Sequence, residues 1–136
     1  MKSRWKNQYA VIESASKFHN KVREILATDS YFKRLRCFQE VPVIDLIPDY
    51  YASNQHYDWY IEELETIIEL HGMQHYQCVN YGNIGYELAQ KNFYNIQQRD
   101  IDKKEYAIEA GYKFVEIPYK HYNKLDRSSL AGFIFS

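Results

Sequence analysis

Asp58, Glu69 and His71 are the side chains whose types and spacing could do chemistry in this sequence. They lie in the stretch His56-Tyr-Asp58-Trp-Tyr-Ile-Glu-Glu-Leu-Glu-Thr-Ile-Ile-Glu69-Leu-His71-Gly72-Met-Gln74-His75. Two short strands joined by a tight connection at Glu63 and Leu64 put Asp58 and Glu69 on neighbouring strands. Glu69 and His71 are two residues apart, so they share a face of the second strand. Carboxylates on adjacent strands suit a hard divalent cation such as Mg²⁺, for which Mn²⁺ can substitute. A cation held there polarises a phosphate oxygen and lowers the pKa of a bound water. The imidazole of His71 or His75 is a candidate acceptor for that water's proton. Without a cation or a basic neighbour, repulsion between the two carboxylates should raise one of their pKa values.

A strand pair ending in Glu and His can also be an ordinary solvated edge, and Glu62, Glu63 and Glu65 read that way. Glu69 does not, because it follows Ile67 and Ile68 and precedes Leu70 in the most apolar strand of the chain. A carboxylate in that setting is costly unless it is paired or metal-bound. His71 and His75, four apart, invite a zinc reading, but Gly72 between them breaks a helix and no cysteine pair completes a tetrahedral site. His19, His56 and His121 carry no spacing signal and read as surface or packing residues. Arg99 and Lys103 fall on one helix face, four apart. That face either contacts phosphate and steadies the carboxylates or is a solvated charged stripe.

The elements that must position these groups follow from hydrophobic periodicity. Phe18, Val22, Ile25 and Leu26 predict a helix over 13–28, with Ser14 or Ser16 as its cap. Residues 37–46 are β-rich, and Pro42 makes this an edge or bulged strand. Residues 48–54 are turn-like. Residues 55–62 and 66–70 are the second and third strands, the latter stopped by Gly72. A loop over 73–86 leads to a long helix over 87–110, with Gly111 where a C′ glycine belongs. Residues 113–118 are the fourth strand, and a short helix is expected around 128–133. The expected architecture is mixed α/β, αβββαβ, with a central four-stranded mixed sheet flanked by helices. No repeat, linker or low-complexity tract interrupts it, so 1–136 reads as one domain with its core over about 13–120 and a C-terminal helical segment over 121–136.

Composition narrows the function classes. The net charge is −1 and the pI about 6.5, which argues against a protein held on nucleic acid by bulk charge alone. An enzyme with only a local basic rim is compatible with it. Aromatic residues make up 17%, and 14 residues are tyrosine; such a set serves either planar polar partners or a core whose hydroxyl tips reach water. Cys37 and Cys78 have neither metal-ligand spacing nor a disulfide framework. Residues 1–14 contain no apolar targeting core, and no run of about 18 apolar residues exists. The expected location is the cytoplasm, that of the host cell if the chain is phage-encoded.

The order Asp58, ten residues, Glu69, one residue, His71 resembles the PD-(D/E)xK nuclease signature, with His71 where the lysine of Glu-x-Lys usually stands. More narrowly, Asp58, His71-Gly72, His75, Arg99-Asp100 and the closing Gly111-Tyr-Lys-Phe-Val-Glu-Ile-Pro are similar to very-short-patch-repair-like nucleases, including phage homing endonucleases, over roughly 16–120. The resemblance implies a restriction-endonuclease-like core and Mg²⁺-dependent hydrolysis of a DNA phosphodiester, in homing, repair or recombination, by a monomer or homodimer. Asp58 would be the central metal ligand, and Glu69 or the Leu70 carbonyl would complete the metal shell. His71 or His75 would act as base or orient the water. Gln74 would touch the water or the phosphate. Arg99, Asp100 and Lys103 would support the site from the helix. Such families usually aim a glutamate of the first helix at the metal, and here the best-aligned position is His19. Loss of that glutamate and of the lysine leaves two alternatives open, a catalytically degenerate DNA-binding module and an RNA-directed nuclease on the same scaffold.

Overall fold

The computed structural model describes residues 4–72 and 85–136. A mixed five-stranded sheet runs in the order β1-β2-β3-β4-β5, with β1 at Lys6–Asn7, β2 at Cys37–Pro42, β3 at His56–Ile61, β4 at Thr66–His71 and β5 at Lys113–Pro118. The first four strands form an antiparallel meander, and β5 pairs parallel to β4. A parallel neighbour needs a long crossover, and helix α3, Tyr86–Glu109, lies between those two strands in the chain.

Helix α1, Lys17–Thr28, starts later than its periodicity suggests, because Ser16 is the cap: its hydroxyl accepts the His19 N–H. Strand β2 stops at Pro42, which offers no N–H to a ladder. The residues expected to continue it instead form α2, the single turn Val43–Leu46. Strand β1 was not expected, since two residues carry no readable period. It is held by Gln39↔Lys6 pairing, by the Gln8 amide donating to the Leu35 carbonyl at 2.9 Å, and by the Trp5 indole donating to Asp45 at 2.8 Å. Helix α3 ends as Gly111 predicts. Gly111 has φ +92°, its N–H reaches the Ile108 carbonyl, and the Tyr112 N–H reaches that of Ala107. This crossed pair of bonds requires the left-handed conformation that glycine adopts without strain. Helix α4, Arg127–Phe135, begins with a reciprocal capping box between Asp126 and Ser129.

The sheet is covered on both faces. On one side Phe18, Val22 and Leu26 of α1 and Leu130 and Ile134 of α4 pack against Trp59, Ile61, Ile68 and Val115. On the other, Ala107 of α3 joins Val43, Ile47 and Tyr50 against Val41, Tyr57, Tyr60 and Ile67. Each cluster holds at least one large ring, and burying such a side chain contributes roughly 1.5–3 kcal/mol. Among the described residues, no helix is long and apolar enough to cross a membrane.

Candidate functional site: a fork in the sheet

Strands β3 and β4 pair only from Trp59↔Ile68 to Ile61↔Thr66. Beyond that point β3 stays on β2 through Tyr57 and His56, while β4 stays on β5 through Glu69, Leu70 and His71. The sheet therefore forks where continuation of the register would place Asp58 opposite Glu69. Carboxylates fill the ladder positions that the opposing backbone leaves. Asp58 Oδ2 accepts the Leu70 N–H at 2.7 Å, and Glu69 Oε2 accepts the Asp58 N–H at 3.1 Å. The side-chain alternation of β3 breaks at the same place. Trp59 and Ile61 face α1, yet Tyr57 belongs to the core on the α3 side. Across β2, between the pairs Gln39↔Trp59 and Val41↔Tyr57, Glu40 takes a left-handed φ of +48°, a conformation a non-glycine residue adopts at a cost.

The ammonium of Lys103, from α3, closes the fork. It forms an ion pair with Glu69 Oε1 and donates to the His56 carbonyl at 2.8 Å. The Tyr57 hydroxyl donates to the Lys103 carbonyl at 2.7 Å, so the lysine is tied to β3 at both ends. Lys103 and Glu69 are both buried. Burial, opposed by the hydrogen bond with Glu69, the Leu70 N–H and Lys103, pushes the Asp58 carboxyl above the ordinary range. Burial and the Asp58 charge do the same to Glu69, against the pull of Lys103. One lysine thus faces two carboxylates that lack room to be both charged and dry.

The fork floors a cavity of about 800 Å³. Its walls come from both layers: Ser16 and Lys17 at the start of α1, Arg99 and Asp100 on α3, and Tyr119 and Tyr122 after β5. Asp58, Glu69, Leu70, Arg99, Asp100 and Lys103 of the expected set all border it. Two others do not. His19 is buried between α1 and β3, stacked on Trp59 at 4.9 Å and bonded through Nε2 to Gln39 Oε1 at 2.8 Å, so it stands in the core rather than in the place of a helix glutamate. His71 lies past the fork, with Nδ1 3.5 Å from Glu116 Oε2, and Lys104 holds the other oxygen of Glu116 at 2.8 Å. Gln74 and His75 lie outside the described residues. The sequence reading missed His56, whose exposed side chain borders the cavity and whose carbonyl seats Lys103. It also missed Lys17 and the tyrosines at 119 and 122; Lys17 had a usable signal, since it directly follows the Ser16 cap.

Among the described residues, no group of three or more His, Cys, Asp or Glu side chains gathers as a metal site. The donors at the fork are two carboxylates. This is a set that suits Mg²⁺, which keeps several waters and takes one or two protein carboxylates plus substrate phosphate. The charge of Asp58 opposes ionisation of Glu69, a conflict that a divalent cation relieves, so the residues present fit such an ion. No protein-family model matches the chain, and neither does any curated protein or solved structure.

Proposed function

We propose that the fork is the active site of a metal-dependent DNA endonuclease on a restriction-endonuclease-like core. The observation that carries this reading is the direct opposition of Asp58 and Glu69 across the fork, beneath an open cavity with cationic walls. The succession α1, β2, β3, β4, α3, β5 supports it, because it follows the αβββαβ order of that core.

Asp58 and Glu69 would hold Mg²⁺, or Mn²⁺ in its place, with the remaining positions left to water and a phosphate oxygen. When bound, the cation supplies a Lewis acid at the phosphate and lowers the pKa of a neighbouring water. Lys103 orients Glu69 and favours its ionised form, and its ammonium offsets negative charge that builds on the phosphate. Arg99, exposed on the cavity wall, and Lys17 at the α1 terminus grip the flanking backbone. In this reading Lys103 takes over the task of the missing Glu-x-Lys lysine. Since His71 is engaged by Glu116, activation of the water falls to His75, an assignment that rests on its place in the sequence.

The test is cleavage of supercoiled plasmid by the full chain in Mg²⁺ or Mn²⁺. Wild type should nick or linearise the plasmid, while Asp58→Asn, which keeps an acceptor for the Leu70 N–H, should fold and lose at least roughly 10²-fold in rate, the scale of one removed charge-stabilising group. Undiminished cutting by Asp58→Asn would overturn the assignment. Binding without cutting of DNA or RNA in either metal would make the chain a DNA-binding module instead.

A further inference from the structure

A second recess, of about 520 Å³, opens beside the first and shares Gln55 and Arg99 with it. Its walls combine Tyr51 from the segment after α2 with Tyr94, Asn95 and Gln98 from α3. Both tyrosines are 64% exposed, a large planar area to leave in water. Tyr51 is nonetheless fixed. Its hydroxyl donates to Asp102 Oδ2, and its ring lies 4.7 Å from that of Tyr50. The Gln98 amide donates to the other Asp102 oxygen at 3.1 Å, so the one acidic group in the recess is occupied on both sides. Arg99, at the junction of the two recesses, pairs with no carboxylate among the described residues.

These are the components that recognise an unpaired nucleic-acid strand. Exposed rings accept the face of any base, amides meet base edges, and a single guanidinium takes a phosphate. A continuous duplex offers no free base faces to such rings. A docked peptide helix would need an apolar stripe, and this recess is mainly amide, phenol and charge. The modest net charge agrees, since stacking rather than bulk attraction would hold the strand.

We infer that the trough from Tyr94 to Arg99 seats unpaired DNA bases next to the bond cut at the fork, so that the substrate is DNA carrying a single-stranded segment rather than uninterrupted duplex. This rests on the endonuclease reading for its catalytic half. The binding half stands by itself: fluorescence anisotropy of labelled oligonucleotides in EDTA, with the full chain, reads the trough without any cleavage.

A duplex with a six-nucleotide single-stranded DNA tail should bind about tenfold more tightly than the blunt duplex of equal length. Tyr94→Ala should weaken tailed binding roughly fivefold or more, the scale of one lost base stack, and leave blunt binding within about twofold. Tyr51→Phe, which keeps the ring and the fold of its neighbours, should retain the tail preference. Equal affinity for tailed and blunt DNA overturns the proposal even if plasmid is cut. A matched RNA tail bound more tightly than DNA overturns the assignment to DNA. Tail-selective binding without cutting supports the trough and removes only the endonuclease reading.

Discussion

Asp58 and Glu69 hold the two prongs of the sheet by reaching across to each other's strand: Glu69 accepts the N–H of Asp58, and Asp58 accepts the N–H of Leu70, next to Glu69. The same two side chains therefore end a β-ladder and line a cavity. A residue that replaces backbone pairing cannot be removed without a structural cost, so the variants that test chemistry here must keep an acceptor oxygen. Asp58→Asn keeps one and removes the charge.

This arrangement sets the sign of a pH dependence. Asp58 is raised by burial, and Glu69 by burial and the charge of Asp58, so the folded state holds protons more tightly than the unfolded chain. Their contribution to stability is full below the ordinary carboxylate range and is lost as the pH climbs through the raised values. A divalent cation binds only the ionised pair, so its stabilising effect grows over the same span. In EDTA, the melting temperature of wild type relative to Asp58→Asn should fall between about pH 5 and about pH 8. The gain in melting temperature on adding Mn²⁺ should be larger at the upper end and absent in Asp58→Asn. A Mn²⁺ gain that is equal at both pH values, or equal in the variant, would remove the cation from the fork.

Lys103 offers a second test. Its ammonium is the cationic partner of Glu69 and a donor to the His56 carbonyl. Lys103→Met keeps the stem over the Tyr57 ring but leaves a buried carboxylate pair without counter-charge. Removing one partner from a buried pair costs about 3 kcal/mol, or roughly 10 °C in melting temperature for a domain of this size. A double variant, Lys103→Met with Glu69→Gln, should recover much of that stability but not the cutting. If the double variant is no more stable than the single one, the ion pair is not what holds α3 to the fork.

Strands β3, β4 and β5 were legible because their signals are local. Residues 113–118 match β5 at both ends, and Gly111 marks the end of α3, since alternation and a left-handed glycine are properties of a few consecutive residues. The fork was only half legible. That Asp58 and Glu69 sit opposite one another follows from strand pairing, but the break of alternation at Asp58 depends on Glu40 in β2, far away in sequence. Lys103 was hardest to read. On a mostly exposed helix it resembles any charged stripe, and only the packing of α3 against Tyr57 makes it a buried residue. His71 lies on the expected side of β4, but two residues of strand carry it roughly 7 Å beyond Glu69, to Glu116 on β5.

His71 and His75 can be separated on that basis. His71 is buried and engaged with Glu116, which Lys104 also holds. His71→Gln should lower the melting temperature by a few degrees, the effect of about 1 kcal/mol, and change the cutting rate less than about tenfold. His75→Ala should lower the rate by on the order of 10²-fold, as loss of a general base does, and lift the acid limb of the pH–rate profile. If the two variants exchange these behaviours, the imidazole that serves the water is His71, and its contact with Glu116 is part of the catalytic machinery.

His19 supplies the complementary control. Burial lowers its pKa despite the bond to Gln39, so folding favours the neutral ring. A buried neutral imidazole binds protons less readily than the same group unfolded. Its contribution is therefore complete above the ordinary value near 6.5 and is lost as the pH falls below it. His19→Gln should abolish that acid-side loss and cost about 1–2 kcal/mol at neutral pH, because the stack on Trp59 is gone and the Gln39 amide must find another partner. Cutting at neutral pH should remain within about threefold of wild type, the change expected for a core residue with no contact to the reacting atoms. A large loss of cutting at unchanged melting temperature would place His19 at the metal after all, in the role the sequence reading assigned to a first-helix ligand.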